Sequence, residues 1–167
     1  MNIDNQALSS PGTAGPISEK LLQYRPPRMV MLLIALATVV HVALPALRVM
    51  LFSSPVLAIC AAVAGFAIMM WAWWLFQKAE TAICPTEQSS ALVTAGIFRV
   101  TRHPMYLGMI MMMAGAALWF GTLPYYLASV VFFLVINQIF CPFEEKKMDE
   151  TFGEEYFSYR TKVRRWV

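Results

Sequence analysis

Four apolar stretches, each close to the length of a bilayer-crossing helix, constrain this chain more than any other feature. They run from Met29 to Met50, Pro55 to Phe76, Pro104 to Phe120 and Tyr125 to Cys141. The hydrocarbon core is about 30 Å thick and takes about 20 helical residues, fewer where neighbours and local thinning help. Lipid offers backbone N–H and C=O groups no water, so such runs satisfy them internally, as helices. With 59% hydrophobic residues against 14% charged, the 167-residue chain is too apolar for a soluble domain of its size. The expected fold is all-α: a polytopic membrane protein with about four transmembrane helices.

The runs are joined in pairs by breaker-containing turns, "FSSP" before the second and "GTLP" before the fourth, which predicts two helical hairpins. Twelve of the thirteen Lys and Arg fall outside the spans on one side and Arg48 alone on the other. By the positive-inside rule both termini and the central loop are cytoplasmic. Residues 1–28 are polar, lack the pattern of a secretory signal, and read as a flexible cytoplasmic tail with a short surface helix around Ile17 to Tyr24. Residues 29–167 form a single membrane domain, with a loop at 77–103 and a cytoplasmic tail at 142–167.

Several function classes lose support. The basic residues are not gathered into one stripe with interleaved aromatics, so nucleic acid is not an expected partner. Cys60, Cys84 and Cys141 form no CxxC or Cys/His cluster, so neither a metal site nor a disulfide framework is expected. The run "MIMMMAG" reads as lipid-facing and packing surface, and Trp71 to Trp74 as part of an interfacial aromatic belt. His41, alone in the first span, is either functional or a neutral ring bonded to a neighbour. Phe152, Tyr156, Tyr159 and Trp166 are expected to lay the tail against headgroups, with Arg164 and Arg165 meeting anionic lipid.

Ionisable groups at the mouth of an apolar helix need a reason, and "TRHPMYLG" at 101–108 supplies several. Pro104 suits the first helical turn, where a missing N–H costs nothing. The unpaired N–H groups of that turn favour an anion. His103 and Tyr106 share a face, and Gly108 and Gly115 open close approach deeper in the same helix. The fourth run returns to the same side just before Glu144 and Glu145, where carboxylates oppose the helix dipole and call for a cation. In the loop, Leu92 and Val93 are apolar within a polar stretch, Gly96 permits positive φ, and Phe98 precedes His103 closely. Such an insert suits a wall over an aromatic ring or a lipid. A ligand with a carboxylate, an ammonium, a second positive centre and an apolar ring would find a partner for each part.

The run "LVTAGIFRVTRHPMYLG", followed after a hairpin by "FEEKKMDETFGEEYFSYRTKVRRWV", resembles the isoprenylcysteine carboxyl methyltransferase and phospholipid methyltransferase superfamily, over about Thr81 to Arg165. The resemblance implies a small helical membrane enzyme that uses S-adenosylmethionine, released as S-adenosylhomocysteine, at the cytoplasmic face. Its acceptor would be a lipophilic or amphiphilic small molecule or lipidated substrate drawn from the bilayer. It implies that Leu92, Val93 and Phe98 line the adenosine region, that His103, Pro104, Met105 and Tyr106 belong to the cofactor pocket, and that Glu144 is the carboxylate on the cofactor side. Ala95 stands where Ser is common, and Phe140 where isoprenylcysteine enzymes carry an Arg for the substrate carboxylate, so a prenylcysteine acceptor is not implied.

Methyl transfer from a sulfonium is an in-line displacement that needs alignment and exclusion of water, and no metal. An amine acceptor must also lose a proton. Glu145 is the candidate for substrate positioning or proton removal, and Tyr106 the second candidate catalytic group. A nicotinamide-dependent membrane reductase and a non-catalytic scaffold subunit stay open as alternatives at this point.

Overall fold

The structure, a computed structural model, describes residues 26–79 and 91–167. The surface helix expected around Ile17 to Tyr24 lies outside the described residues. Six α-helices follow one another among those described: α1 (Pro26–Ala43), α2 (Pro55–Lys78), α3 (Pro104–Phe120), α4 (Leu123–Val135), α5 (Cys141–Phe152) and α6 (Glu154–Lys162). A π-helical turn, Ile136–Phe140, joins α4 to α5 without a break. Pro26–Ala43, Pro55–Lys78 and the continuous Leu123–Phe152 are long and apolar enough to cross a membrane, and Pro104–Phe120 is a shorter apolar helix. The chain is an all-α membrane protein. Leu32, Leu36, Val63, Phe66, Val130 and Leu134 are exposed on its outer surface, a placement that suits lipid rather than water.

The first span ends well short of Met50. Pro45 has no N–H for the carbonyl of His41, and that carbonyl instead accepts from Arg48 Nε at 2.5 Å, while Arg48 Nη2 reaches Val42 O at 3.0 Å. A guanidinium thus caps the negative end of α1. The chain then runs to Pro55 through a segment stitched to the α3–α4 turn. Leu51 N donates to Gly121 O at 2.7 Å and Leu123 N to Val49 O at 3.1 Å, around an isolated antiparallel bridge between Met50 and Thr122. This connection alters the expected pairing: α1 packs mainly on α4, and α2 on α3, so the first two helices do not form a packed hairpin of their own.

Small residues line the α2–α3 seam and let the two backbones approach closely. A Cβ added to Gly65 would lie 2.5 Å from Gly108 O, one added to Gly108 2.5 Å from Gly65 O, and one added to Gly115 2.9 Å from Ala58 O. Lipid gives helices no hydrophobic reason to associate, so backbone approach of this kind supplies the attraction. Met109, Met113, Ala117, Phe132, Ile136 and Phe140 belong to the core formed by α3, α4 and the π turn, where Met109 and Met113 are the packing part of the Met run.

The fourth span does not stop at Cys141 as expected, despite Pro142. In the π turn Cys141 N–H reaches Ile136 O, five residues back. In that register Pro142 would serve Asn137 O but has no N–H, and Asn137 O accepts from Arg165 Nη1 at 3.3 Å instead. The helix therefore carries Glu144 and Glu145 onward as α5 rather than releasing them into a tail. Gly108→Ala should destabilise the chain by about 1–3 kcal/mol through overpacking of the seam, measured by unfolding in detergent micelles, while lipid-facing Val63→Ala should change it far less.

Candidate active site

Three elements converge at one end of the helix stack: the start of α3, the start of α5 and the segment after α6. Tyr106 comes from the first turn of α3, and its hydroxyl donates to Glu144 Oε1. His103 occupies the N-cap position of α3 without capping it, which leaves its ring free to reach α5. The ring lies between the two carboxylates, with Nδ1 3.4 Å from Glu144 Oε2 and Nε2 3.2 Å from Glu145 Oε1. It stacks on Tyr106 with centroids 5.7 Å apart and planes 20° apart, and Phe140 meets Tyr106 edge-on at 6.4 Å.

His103 is buried, and burial by itself lowers its pKa. Hydrogen bonding to Cys141, Glu144 and Glu145 outweighs that and holds the pKa well above the ordinary value of 6.5. The two carboxylates thus favour the protonated form of the ring, with Nε2 in hydrogen-bond range of Glu145 Oε1 and Nδ1 in ion-pair range of Glu144 Oε2.

Glu145 is the more enclosed carboxylate, 8% exposed. Arg165 meets it with both arms of its fork, Nε to Oε1 at 2.9 Å and Nη2 to Oε2 at 2.7 Å. Arg102 Nη1 lies 3.4 Å from Oε1. These cations answer the charge that two carboxylates bring to this helix. Arg165 is thus turned inward to Glu145, not outward to anionic lipid as the sequence suggests, because a carboxylate withdrawn from water draws the nearest guanidinium to it. Trp166 likewise packs inward, its ring 6.3 Å from that of His103 and its Nε1 donating to Asn137 Oδ1 at 2.9 Å. Tyr156 is buried, and the half-buried Tyr159 donates to Phe98 O at 2.7 Å, so both are held by the protein rather than laid against headgroups.

The remaining expected residues divide into two groups. Pro104 is buried at the head of α3 and Met105 half-buried beside it. Leu92 and Val93 are half-buried before the short turn Gly96–Arg99, where Gly96 has φ of 60° as expected. Phe98 packs edge-on against Phe76 at 5.2 Å and is linked to the cluster only indirectly, through Tyr159 and then Tyr156, whose rings are 6.1 Å apart. A cavity of about 450 Å³ opens beside this segment, lined by Thr94, Arg99, Glu155, Ser158, Tyr159, Lys162 and Val163; His103, Tyr106 and Glu144 are not in its wall. His41 is at the other end of the stack, with Nδ1 3.2 Å from Thr122 Oγ1 and its ring 6.0 Å from Tyr125. It pins α1 to the α3–α4 turn and takes no part in the site.

Arg102 and Asn137 are site residues that the sequence pattern did not single out, and Arg165, Tyr156 and Trp166 are ones it assigned to the lipid surface instead. The signals available were the two adjacent carboxylates, which need cations, and a Pro inside a helical run.

An S-adenosyl cofactor can be tested against these side chains. Glu144 offers a carboxylate to an ammonium, His103 and Tyr106 offer a stacked aromatic wall, and Arg102 Nε is buried without a hydrogen-bond partner among the described residues, a donor left for an acidic group. The donor set fits such a molecule.

Comparison with known proteins finds relatives named as methyltransferases. An uncharacterised protein of Haemophilus influenzae is 40% identical over 63 residues, covering 38% of this chain and 100% of that one. A methanethiol S-methyltransferase of Pseudomonas deceptionensis is 31% identical over 103 residues, 60% of this chain and 38% of that enzyme. A probable protein-S-isoprenylcysteine O-methyltransferase of Oryza sativa subsp. indica is 35% identical over 80 residues, 46% of this chain and 40% of its own length. The matches to the named enzymes thus span well under half of each. No solved structure matches the chain. The phospholipid methyltransferase family matches residues 53–155, which run from before α2 into α6 and include the whole His103, Tyr106, Glu144 and Glu145 cluster. The chain belongs to the phospholipid methyltransferase family.

Proposed function

We propose that the chain is an S-adenosylmethionine-dependent methyltransferase that works at the cytoplasmic face of a membrane on a lipophilic or amphiphilic acceptor. The observation that carries this reading is the meeting of His103, Tyr106 and Glu144 from two helices at one end of the stack. The excess of Lys and Arg at that end supports the cytoplasmic assignment.

When bound, S-adenosylmethionine supplies an electrophilic methyl group on a sulfonium. The chain binds, orients and keeps water out. Glu144 takes the ammonium charge, and His103 and Tyr106 hold that carboxylate in place from two sides. Leu92, Val93 and Phe98 wall the adenosine region, with Pro104 and Met105 at the rim. Tyr106 stands beside the reacting centre. Glu145, with both oxygens engaged by Arg165, is better suited to positioning than to proton removal, since a base must first be free of its cations. Phe140 packs on Tyr106 and offers no cation to an acceptor carboxylate, which supports acceptors other than prenylcysteine.

Glu144→Gln and His103→Ala should each lower affinity for S-adenosylhomocysteine at least ten-fold, about 1.4 kcal/mol or more, as expected for a hydrogen bond to a charged group. Calorimetric titration in detergent micelles checks this, and wild-type affinity in Glu144→Gln would remove Glu144 from the site. The charge on His103 adds a pH dependence. Its folded pKa is raised, so its contribution to stability is complete below about 6.5, the unfolded value, and is lost as pH rises through the folded one. The melting temperature should therefore fall on the alkaline side of neutrality, and His103→Gln should flatten that fall.

A further inference from the structure

Glu145 Oε1 receives His103 Nε2, Arg165 Nε and Arg102 Nη1, whereas Oε2 is held by Arg165 Nη2 at 2.7 Å. Among these partners the Arg165 fork alone spans both oxygens, so it sets the plane of the carboxylate and with it the direction in which Oε1 faces the imidazole. The backbone around Arg165 holds the other side of His103. Arg102 N donates to Arg164 O at 3.1 Å and Thr101 Oγ1 to Arg165 O at 2.7 Å, and Thr101 Oγ1 also accepts from His103 N at 3.3 Å. Ring and main chain of His103 are thus both referred to one residue far along the sequence.

We propose that Arg165 is a positioning residue of the site: by clamping Glu145 it orients the His103 ring, and through that ring the Tyr106 and Glu144 wall that takes the cofactor. The proposal rests on the methyltransferase reading above for its functional consequence. Its structural core, a linkage from Arg165 through Glu145 to His103, stands on the distances alone. Lysine cannot replace the fork, because a single ammonium cannot span two carboxylate oxygens in one plane.

The test uses the full chain in detergent micelles, with S-adenosylhomocysteine as the calorimetric probe and nitrogen-15 histidine labelling for NMR. The chain has two histidines, so a His41→Gln variant assigns the His103 ring signals. Arg165→Met should weaken binding ten-fold or more and shift those signals, and Arg165→Lys should recover part of both. Glu145→Gln should produce the same pair of changes. Adding Arg165→Met to Glu145→Gln should cost nothing further, the non-additivity expected of groups acting in series. Arg160→Met, which breaks the ion pair with Asp149 while leaving the fork on Glu145, should leave the ring signals unchanged.

Unmoved His103 signals in Arg165→Met would overturn the proposal. So would losses that simply add in the double variant, or an Arg160→Met chain that behaves like Arg165→Met. Should the wild-type chain bind no S-adenosylhomocysteine, the functional reading falls and the ring signals alone decide the linkage. Should Arg165→Met not fold, Arg165→Lys and Glu145→Gln carry the same comparison.

Discussion

Two adjacent carboxylates drawn out of water at the end of an apolar helix are costly unless cations meet them, and the arrangement of this site follows from that need. Glu145 answers it with Arg165, Arg102 and the His103 ring. Glu144 shares the same imidazole and takes the Tyr106 hydroxyl. Removing one member of such a group leaves an uncompensated charge in a poorly solvated place, so the members depend on one another more than a count of pairwise bonds implies.

The membrane part of the fold serves this cluster by bringing helix ends to one level. The Gly65 and Gly108 contact sets the separation of α2 and α3, and Gly108 follows Tyr106 closely on the same helix. A shift of that seam would carry Tyr106 with it. At the opposite end, Arg48 on the α1 carbonyls, His41 on Thr122 and the bridge from Met50 to Thr122 tie the connections together. Polar side chains are thus used at both ends of the stack, for fastening at one and for a candidate binding site at the other.

Proline decides two of the places where the chain departs from its apolar pattern. Hydropathy continues past Ala43 to Met50, but Pro45 ends the helix and Arg48 takes over the freed carbonyl. Hydropathy ends near Cys141, yet the helix goes on to Phe152, because the π turn absorbs Pro142 and Arg165 takes the carbonyl that it leaves. A mean over side-chain polarity carries no account of missing N–H groups, so neither boundary was legible from it.

The residues alone determined that this is a helical membrane chain and that the "RHPMY" segment and the Glu144–Glu145 pair lie on one side of it. Span length, breaker residues and the sidedness of Lys and Arg are local quantities, and local quantities can be read in order along a sequence. The tertiary structure decided that α1 leans on α4 rather than α2, and that Arg165 and Trp166 turn inward instead of meeting lipid. It also decided which of two neighbouring carboxylates is held by the fork and which faces Tyr106. Such choices depend on desolvation and on distances between residues far apart in the chain, and both come into being only when the helix ends meet.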